Sequence, residues 1–554
     1  MGADPPRADA AGDAPGPDPP SPPDRGRLRF ALLQLLLVSA VALHHAGPVW
    51  NPDLPWHLAS GEHFWSRGEL PQKDPFTFTA GDRRWIHHEW GGQLLLAAVH
   101  HLGGWSGLRA LRAALAGAAF LLVVEILRRA GASRAAALAA AAVLWPLFEA
   151  NVTLRPHLLA WVLFLAVVGG VLLAPRPWGR ARWGLLLLLT VLWVNLHSSA
   201  LLLPAILAVE ALARAAGGAP ATAWRRARSW AGAAVATGLA CLLQPAGWRL
   251  LPYALATPGV NAPSDEWRTL LAPDVAVRKP WLLVSLAFLA AACVFAAWQR
   301  RRDPGRASGG FPSTPTSLAL LALALWSRRM TLFLVVPAIE AVHALAPRFA
   351  GAWSRPRSSL RRALGATLLA TIGVFILRGL TIAGGPAVAP GAYPIDAVRF
   401  LAASGVQGRA YAVPDWGGYL AWRLHPGVRV FIDGRWVLVG RRVLYDAIRF
   451  AQRREPVEAD LERYGVEVFV EPTADHLRRP PLDPRRWVLA YRDGVAVVLL
   501  RRGGGSEENL AAARDFYARR PALGELARWP QDPCGSESPP PACATPSVLD
   551  PHRP

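Results

Sequence analysis

The stretch Asn51–Trp90, NPDLPWHLASGEHFWSRGELPQKDPFTFTAGDRRWIHHEW, decides how the rest of the chain is read. It follows directly on the first apolar run and carries six carboxylates, Asp53, Glu62, Glu69, Asp74, Asp82 and Glu89. His57, His63, His87 and His88 stand among them, with the indoles of Trp56, Trp65, Trp85 and Trp90. A connector between two helices needs only a few polar residues. A loop this rich in acids, imidazoles and indoles is built to bind or transform something.

The surrounding chain says where this loop sits. With 554 residues, 52% of them apolar, and a mean hydropathy of +0.23, it is too apolar for an ordinary soluble protein and too long for one domain. Apolar runs of spanning length recur through the first 385 residues, which predicts a polytopic α-helical membrane protein. The net charge of +21 does not point to nucleic acid, because the arginines fall in short clusters between apolar runs, the pattern of cytoplasmic loops. The only lysines are Lys73 and Lys279, a compositional bias towards arginine. Cys241 and Cys293 lie in apolar runs as packing residues, while Cys534 and Cys543 flank a Ser/Pro-rich tail segment that an extracytoplasmic setting would allow to close as a disulfide loop.

Residues 1–26 are rich in Pro, Ala and Asp and too polar to bury a core. Leu28–Ala46 reads as a retained first span, with Arg25, Arg27 and Arg29 holding the N-terminus in the cytoplasm and the first loop, 47–92, outside. Gln93–His101 is a short interfacial helix. Further spans are expected near 108–127, 134–149, 157–174, 183–197, 199–213, 230–245, 281–298, 316–327, 331–346 and 363–382. About eleven spans result, and with that count every arginine cluster falls on the cytoplasmic side. Reading 316–346 as one helix would leave Arg328 and Arg329 in mid-membrane, at about 2.5–3.5 kcal/mol each. Two hairpins are therefore expected, broken near 198 and 328.

This topology gathers the remaining polar residues on the outer face, opposite the arginine clusters. Asn151, Arg155 and His157 (NVTLRPH), Asn195, His197 and Ser198 (VNLHSS), the outer loop 244–279 with Asp265, Glu266 and Trp267, and Arg328 with Arg329 all meet the acidic first loop there. Each alone reads equally as a helix-end anchor. After Pro390 the pattern becomes that of a water-soluble α/β domain, 391–502, with strands at 409–413, 428–432, 466–471, 487–491 and 495–501, followed by a helix and a Pro/Ser-rich tail, 503–554. Its PDWGGY glycines read as a tight turn before a helix, and IDGR as a strand end and turn; neither is a nucleotide site.

Asp53 and His57 are four apart and share one face of any helix that starts at Pro52. A carboxylate at a membrane surface, backed by imidazole and facing cations, suits a general base acting on a substrate with an anionic leaving group. Asp53 reads alternatively as a helix N-terminal acid, Asp74 as a turn former and Glu89 as a capping acid.

These residues carry a resemblance. PDLPWHLASGEHFWSRGELPQKDPFTFT and HHEW in a long first outer loop resemble the membrane glycosyltransferases of the GT-C fold, and more narrowly bacterial relatives of the protein mannosyltransferase and aminoarabinose transferase type. LRPH, VNLHSS, LQPAGWRLLPY, DEW and SRRM are similar to the outer-face motifs of that group, and PDWGGYLAWRLHPGVRVFIDGR to its C-terminal domain, so that the resemblance covers about residues 28–502. It implies a transmembrane domain over 27–385 in the bacterial inner membrane, and transfer of a sugar from a polyprenyl-phosphate donor to an acceptor at the extracytoplasmic face. It implies Asp53 as base, with His57 and Glu89 beside it. Trp56, Asp74, Trp90, Arg155, His157, Asn195, His197, Arg328 and Arg329 are the candidate substrate-binding residues. Relatives that carry a second acid next to the base differ here, where Leu54 follows Asp53, so Glu89 or Asp74 takes any second acidic role.

A divalent metal is compatible with these residues and not required by them; adjacent histidines such as His87 and His88 rarely point at one ion. The expected partners are the lipid-linked donor and membrane lipid, and no nucleic acid. Two other classes compete: a transporter, which needs polar relays deep in its spans, and a non-catalytic scaffold or sensor, which would tolerate loss of Asp53. The topology is open to test. Cysteine labelling at Gly68 and at Gly494 is expected to find both sites accessible from the extracytoplasmic side; opposite accessibility would mean that one expected hairpin is a single helix.

Overall fold

Alanine and leucine dominate the first 385 residues, and straight-chain and small side chains of this kind favour helix. The computed structural model describes residues 25–519 apart from Asp82, Ala150, 175–177, 217–219, Lys279, 303–309, 353–371 and Gly504. The expectations for 1–24, for the tail with Cys534 and Cys543, and for the first part of the span at 363–382, up to 371, lie outside the described residues.

The helices, in order, are α1 (Arg25–His44), α2 (Leu54–Arg67), α3 (Trp90–Arg129), α4 (Arg134–Glu149), α5 (Pro156–Val167), α6 (Arg180–Leu196), α7 (Leu202–Ala215) and α8 (Pro220–Ala240). They continue as α9 (Leu250–Asn261), α10 (Pro273–Arg278), α11 (Pro280–Arg302), α12 (Thr314–Trp326), α13 (Val335–Ala352) and α14 (Ile372–Ala383). Trp90–Arg129, Ser198–Ala215 and Leu282–Arg302 are long and apolar enough to cross a membrane, and Phe30–His44, Pro156–Leu172, Thr314–Trp326 and Ile372–Ala383 are shorter apolar helices. Against the eleven expected spans, the described residues therefore hold three that reach spanning length on these grounds.

Much of the difference comes from breaks. Gly104, at φ 55°, ψ −150°, kinks α3 between the expected interfacial helix and the expected second span. His197 is extended at φ −166°, ψ 141°, which ends α6 before a 3₁₀ turn, Ser198–Leu201, leads into α7. Ser327 is extended at φ −146°, ψ 129°, which separates α12 from the 3₁₀ turn Arg328–Leu334 and α13. The two apolar stretches expected as hairpins are thus each two helices. Each break puts a polar segment, His197–Ser199 or Ser327–Arg329, at a helix end.

The C-terminal part adds α15 (Ile395–Ser404), β1 (Gly408–Ala412), α16 (Pro414–Leu424), β2 (Val428–Val430), α17 (Trp436–Gln452), α18 (Glu458–Arg463), β3 (Val468–Pro472), α19 (Thr473–Arg478), β4 (Trp487–Arg492), β5 (Ala496–Arg501) and α20 (Glu507–Ala518). The sheet order is β2-β1-β3-β5-β4, with β1 parallel to β2 and β3, and β5 antiparallel to β3 and β4. Strands covered on both faces are continuously apolar, as in VFV of β3 and AVVLL of β5.

The first loop joins this sheet. Phe78 donates its amide to the Val430 carbonyl at 3.1 Å and Phe76 accepts from the Val430 amide at 2.9 Å, so that Thr77 lies beside β2 as a parallel edge. Ala59, Phe64, Phe76, Ala80 and Trp85 are buried in the same core as Tyr411, Leu420, Phe431 and Phe469. The loop and the sheet share one hydrophobic interior, which fixes where α2 stands.

Candidate active site

Asp53 occupies the N-cap position of α2, with Pro55 in the first turn. Its side chain makes no capping hydrogen bond, so the helix end does not account for it. The carboxylate turns instead to Arg155, whose Nη1 lies 3.0 Å from Oδ2. Asn51 sets both partners: its Oδ1 accepts the Asp53 amide at 2.8 Å and Arg155 Nε–H at 2.9 Å. The Tyr393 hydroxyl donates to the Asn51 carbonyl at 2.7 Å.

Arg155 precedes Pro156 and is extended at φ −146°, ψ 164°, the conformation a following proline favours. Its guanidinium is shared. Nη1 lies 2.7 Å from Glu266 Oε1 as well as beside Asp53, and Glu266 Oε2 accepts from Arg329 Nη1 at 3.2 Å. Burial pushes the Asp53 carboxyl up to about 6, with Glu266 acting in the same direction and Arg155 opposing it. Glu266 goes the other way: burial works against ionisation, but Arg155 and Arg329 hold it down at about 2. The Asp53 side chain is 21% accessible and lines a cavity.

Glu89, at the N-cap of α3, also makes no side-chain cap bond. It is surrounded by imidazoles: His197 Nε2 at 3.1 Å, His88 Nε2 at 3.5 Å and His57 Nδ1 at 3.7 Å. Burial disfavours its charge, and His88, His197 and His57 outweigh that, so its carboxyl stays well below the usual range. The Ser199 amide donates to His197 Nδ1 at 3.0 Å, which leaves the proton of a neutral ring on Nε2, facing Glu89. Burial lowers His57 to about 3, so that its ring is neutral at physiological pH. His157 Nε2–H donates to the Asn151 carbonyl at 2.8 Å, which leaves Nδ1 as an acceptor without a protein partner among the described residues.

These groups surround one cavity of about 520 Å³. Asp53, Trp56, His57, Glu89, Arg155, His157, His197 and Arg329 all line it. From Arg155 it runs along α5 past Trp161 to Phe164, nine residues or about 13 Å of helix. Its polar end is ionic and its deep end aromatic and aliphatic. Four expected residues are not brought to it. Asp74 holds its own turn by accepting the Phe76 and Thr77 amides at 3.2 and 2.9 Å, and pairs with Arg435 at 2.7 Å. Trp90 Nε1–H donates to Asn195 Oδ1 at 2.9 Å, and Asn195 in turn donates to the Leu243 carbonyl at 2.9 Å, so this pair ties α3 to α6. Arg328 donates its amide to the Arg268 carbonyl at 3.1 Å, and its own carbonyl accepts from Asn151 Nδ2 at 3.2 Å. Among the described residues, no group of three His, Cys, Asp or Glu side chains is disposed to hold a metal ion.

The sheet supplies a wall that sequence reading did not foresee. Gly434, Arg435, Trp436 and Val437 line the cavity, and the IDGR turn sits on the first-loop acid. A Cβ at Gly434 would lie 1.9 Å from Asp53 Oδ1 and 2.5 Å from Trp56 Nε1. Arg435 is fixed by Asp433, with Nε 3.0 Å from each carboxylate oxygen, and its guanidinium carbon lies 4.5 Å from the Trp85 ring centre. In sequence this segment is only an Asp–Gly turn after a buried strand, and nothing in it signals the docking. Asn51 and Glu266, and Tyr253, which lines the cavity, were likewise missed as site residues, although Glu266 stands in a polar outer loop.

No protein-family model matches the chain, and no curated protein matches it significantly in sequence. Solved structures do. The apo oligosaccharyltransferase of Archaeoglobus fulgidus superposes with a TM-score of 0.51 at 13% identity, over 81% of this chain and 70% of that one. Apo ArnT from Cupriavidus metallidurans superposes with a TM-score of 0.51 at 15% identity, over 86% of this chain and 98% of that one. Both are glycosyltransferases of the GT-C fold, and the likeness gives this chain that fold, a polytopic helical membrane protein.

The seating of the IDGR turn is directly measurable. The Asp53 side chain is short and pinned to Arg155, so it cannot move cheaply out of the way of a methyl group. Gly434→Ala is expected to destabilise the purified protein by about 1–3 kcal/mol. Gly494→Ala, where an added Cβ meets nothing within 4 Å, serves as the control and should leave the unfolding midpoint unchanged. Equal midpoints for the two variants would mean that the turn is not seated on Asp53.

Proposed function

We propose that this protein transfers a sugar from a polyprenyl-phosphate donor to an acceptor hydroxyl or amine at the extracytoplasmic face of the bacterial inner membrane, with Asp53 as general base. The observation that carries the reading is the single cavity. It joins an accessible carboxylate of raised proton affinity, the guanidinium groups of Arg155, Arg329 and Arg435, and an apolar wall at Trp161 and Phe164, about 13 Å of helix from Arg155 to Phe164. The fold, shared with two glycosyltransferases, supports the same class of chemistry.

In this reaction the acceptor oxygen or nitrogen attacks the anomeric carbon from the face opposite the phosphate. The new glycosidic bond forms as the bond from that carbon to the phosphate oxygen breaks, and the configuration inverts. The acceptor proton passes to Asp53. The electron pair of the broken bond leaves on the phosphate, where Arg155 and Arg329 oppose the growing charge. His157, held by Asn151, stands in the cavity wall beside His197 and helps to shape the donor site. His57 is neutral and backs Glu89, which remains charged and holds the first loop against His197. Trp161 and Phe164 suit the isoprenoid tail. In this reading residues 27–385 form the membrane domain, within an overall count of about eleven spans. Residues 391–502 form an outer-face domain that closes the cavity through Gly434–Val437.

Two results follow for activity. Asp53→Asn keeps the shape and removes the proton acceptor, so turnover in membrane vesicles should fall about 10²–10⁴-fold while the donor still binds. Near-native transfer by that variant would end the mechanism. The pH dependence has a definite sign. Only ionised Asp53 accepts a proton, and its affinity is raised to about 6, so kcat/KM should level off above pH 7 and drop about tenfold per unit well below pH 6. An acid limb near 4 instead would assign the base to an ordinary exposed carboxylate.

A further inference from the structure

Glu266 is a charged group beside the cavity that the transfer reaction as proposed does not use. It is not among the residues that line the cavity, yet the chain places it with care. Its carbonyl accepts the Arg329 amide at 3.1 Å and the Ser327 hydroxyl at 3.2 Å, which locks the loop before α10 onto the 3₁₀ turn at 328. Its carboxylate bridges Arg155 and Arg329, guanidinium groups that arrive on separate outer turns.

The geometry at Arg155 is the telling feature. Nη1 carries two protons and meets two carboxylates, Asp53 at 3.0 Å and Glu266 at 2.7 Å, while Nε is committed to Asn51. Without Glu266, Asp53 would be the one carboxylate, among the described residues, left in an ion pair with a guanidinium whose side chain is only 10% accessible. A carboxylate in that position binds the cation and resists a proton.

We infer that Glu266 is a positioning residue acting through Arg155: it shares that guanidinium with Asp53, leaving Asp53 able to take a proton while Arg155 and Arg329 stay fixed as a pair. This rests on the reading of Asp53 as the base. The two carboxylates on one cation are driven in opposite directions, Asp53 up and Glu266 down, the pattern expected when one serves as proton acceptor and the other as permanent charge. The other groups facing Asp53 are Glu89 from the start of α3, Trp56 from α2 and Tyr393 from the segment before α15; Asp415 of α16 faces Arg155. Glu89 acts on Asp53 less strongly than Glu266 does.

The test reads the Asp53 proton directly. In the purified full-length protein, the Asp53 carboxyl stretch is assigned by infrared difference against Asp53→Asn and followed as a function of pH. The wild-type midpoint is expected near 6. Glu266→Gln should lower it by at least about one unit, because Arg155 is then left to Asp53. Glu266→Asp, which keeps the charge but draws it back by one methylene, should give an intermediate midpoint if Glu266→Gln does not fold. In an Arg155→Gln background the same Glu266→Gln change should move the midpoint by less than about half as much, the remainder being the direct repulsion between the two carboxylates and the difference the mark of coupling through the arginine. A midpoint that stays or rises, or a shift of equal size in both backgrounds, would overturn the inference. The spectroscopic midpoint needs no sugar transfer, so failure of the transferase reading would appear separately, as absent turnover in wild type.

Discussion

A guanidinium taken out of water has to be met by counter-charge, and removing one partner of such a pair costs about 3–5 kcal/mol. Arg155 imposes that constraint on this protein. Satisfying it requires Asn51 and Asp53 from the first loop and Glu266 from the loop before α10, while Arg329 shares Glu266. Three segments more than a hundred residues apart in sequence are thus held by one cation. The same network leaves Asp53 only partly neutralised. A fully paired carboxylate would be more stable and chemically inert, so the arrangement favours reactivity at some cost in stability.

The sheet region takes part in this arrangement directly. Hydrogen bonds between 76–78 and Val430 extend its edge with the first loop, and Phe64, Phe76 and Trp85 pack into its core. Both attachments position α2, whose N-terminus carries Asp53. The contact between Gly434 and Asp53 is then the consequence of two elements already docked, and only a residue without a side chain fits there. Burial by this turn contributes to the raised proton affinity of Asp53. The segment that closes the cavity therefore also tunes the acid inside it.

Sequence reading went furthest where periodicity or composition carried the signal. The strands expected at 409–413, 466–471 and 487–491 are seen at Gly408–Ala412, Val468–Pro472 and Trp487–Arg492, because buried strands are written as short apolar runs. The break near 328 was legible from the cost of burying Arg328 and Arg329, and the one near 198 from the parity that keeps every arginine cluster on one side. The side chains of Asp53, Arg155, His197 and Arg329 meet at one cavity, the outcome expected of turns that the charge pattern assigns to one face. What could not be read was pairing. Asp74, Trp90 and Asn195 have the same composition signature as cavity residues, yet their hydrogen bonds are spent on a turn and on a helix–helix tie. Glu266 acts through Arg155 and Arg329, 111 and 63 residues away, and Gly434 through Asp53, and no local pattern encodes such contacts.

The bundle also contains buried charge that the near-pure Ala/Leu/Val pattern of the spans conceals. Glu210 on α7 is fully buried, and it accepts from Arg214 at 2.7 Å, from the Ser313 amide at 2.9 Å and from the Thr316 hydroxyl at 2.7 Å. Ser313 is the N-cap of α12, so this carboxylate satisfies an otherwise orphaned amide and faces the positive end of the helix dipole. Its hydrogen bonds go to fixed protein groups, as a structural charge requires. At the other end of α12, the groups around Asp53 are differently placed: His157 keeps an acceptor with no partner among the described residues, and Arg155 divides its charge between two acids. A polar relay across the bundle would need open groups at both ends and between them. Here a saturated charge lies at one end of α12 and an open cavity at the other, a distribution that supports transfer at one face over passage through the membrane.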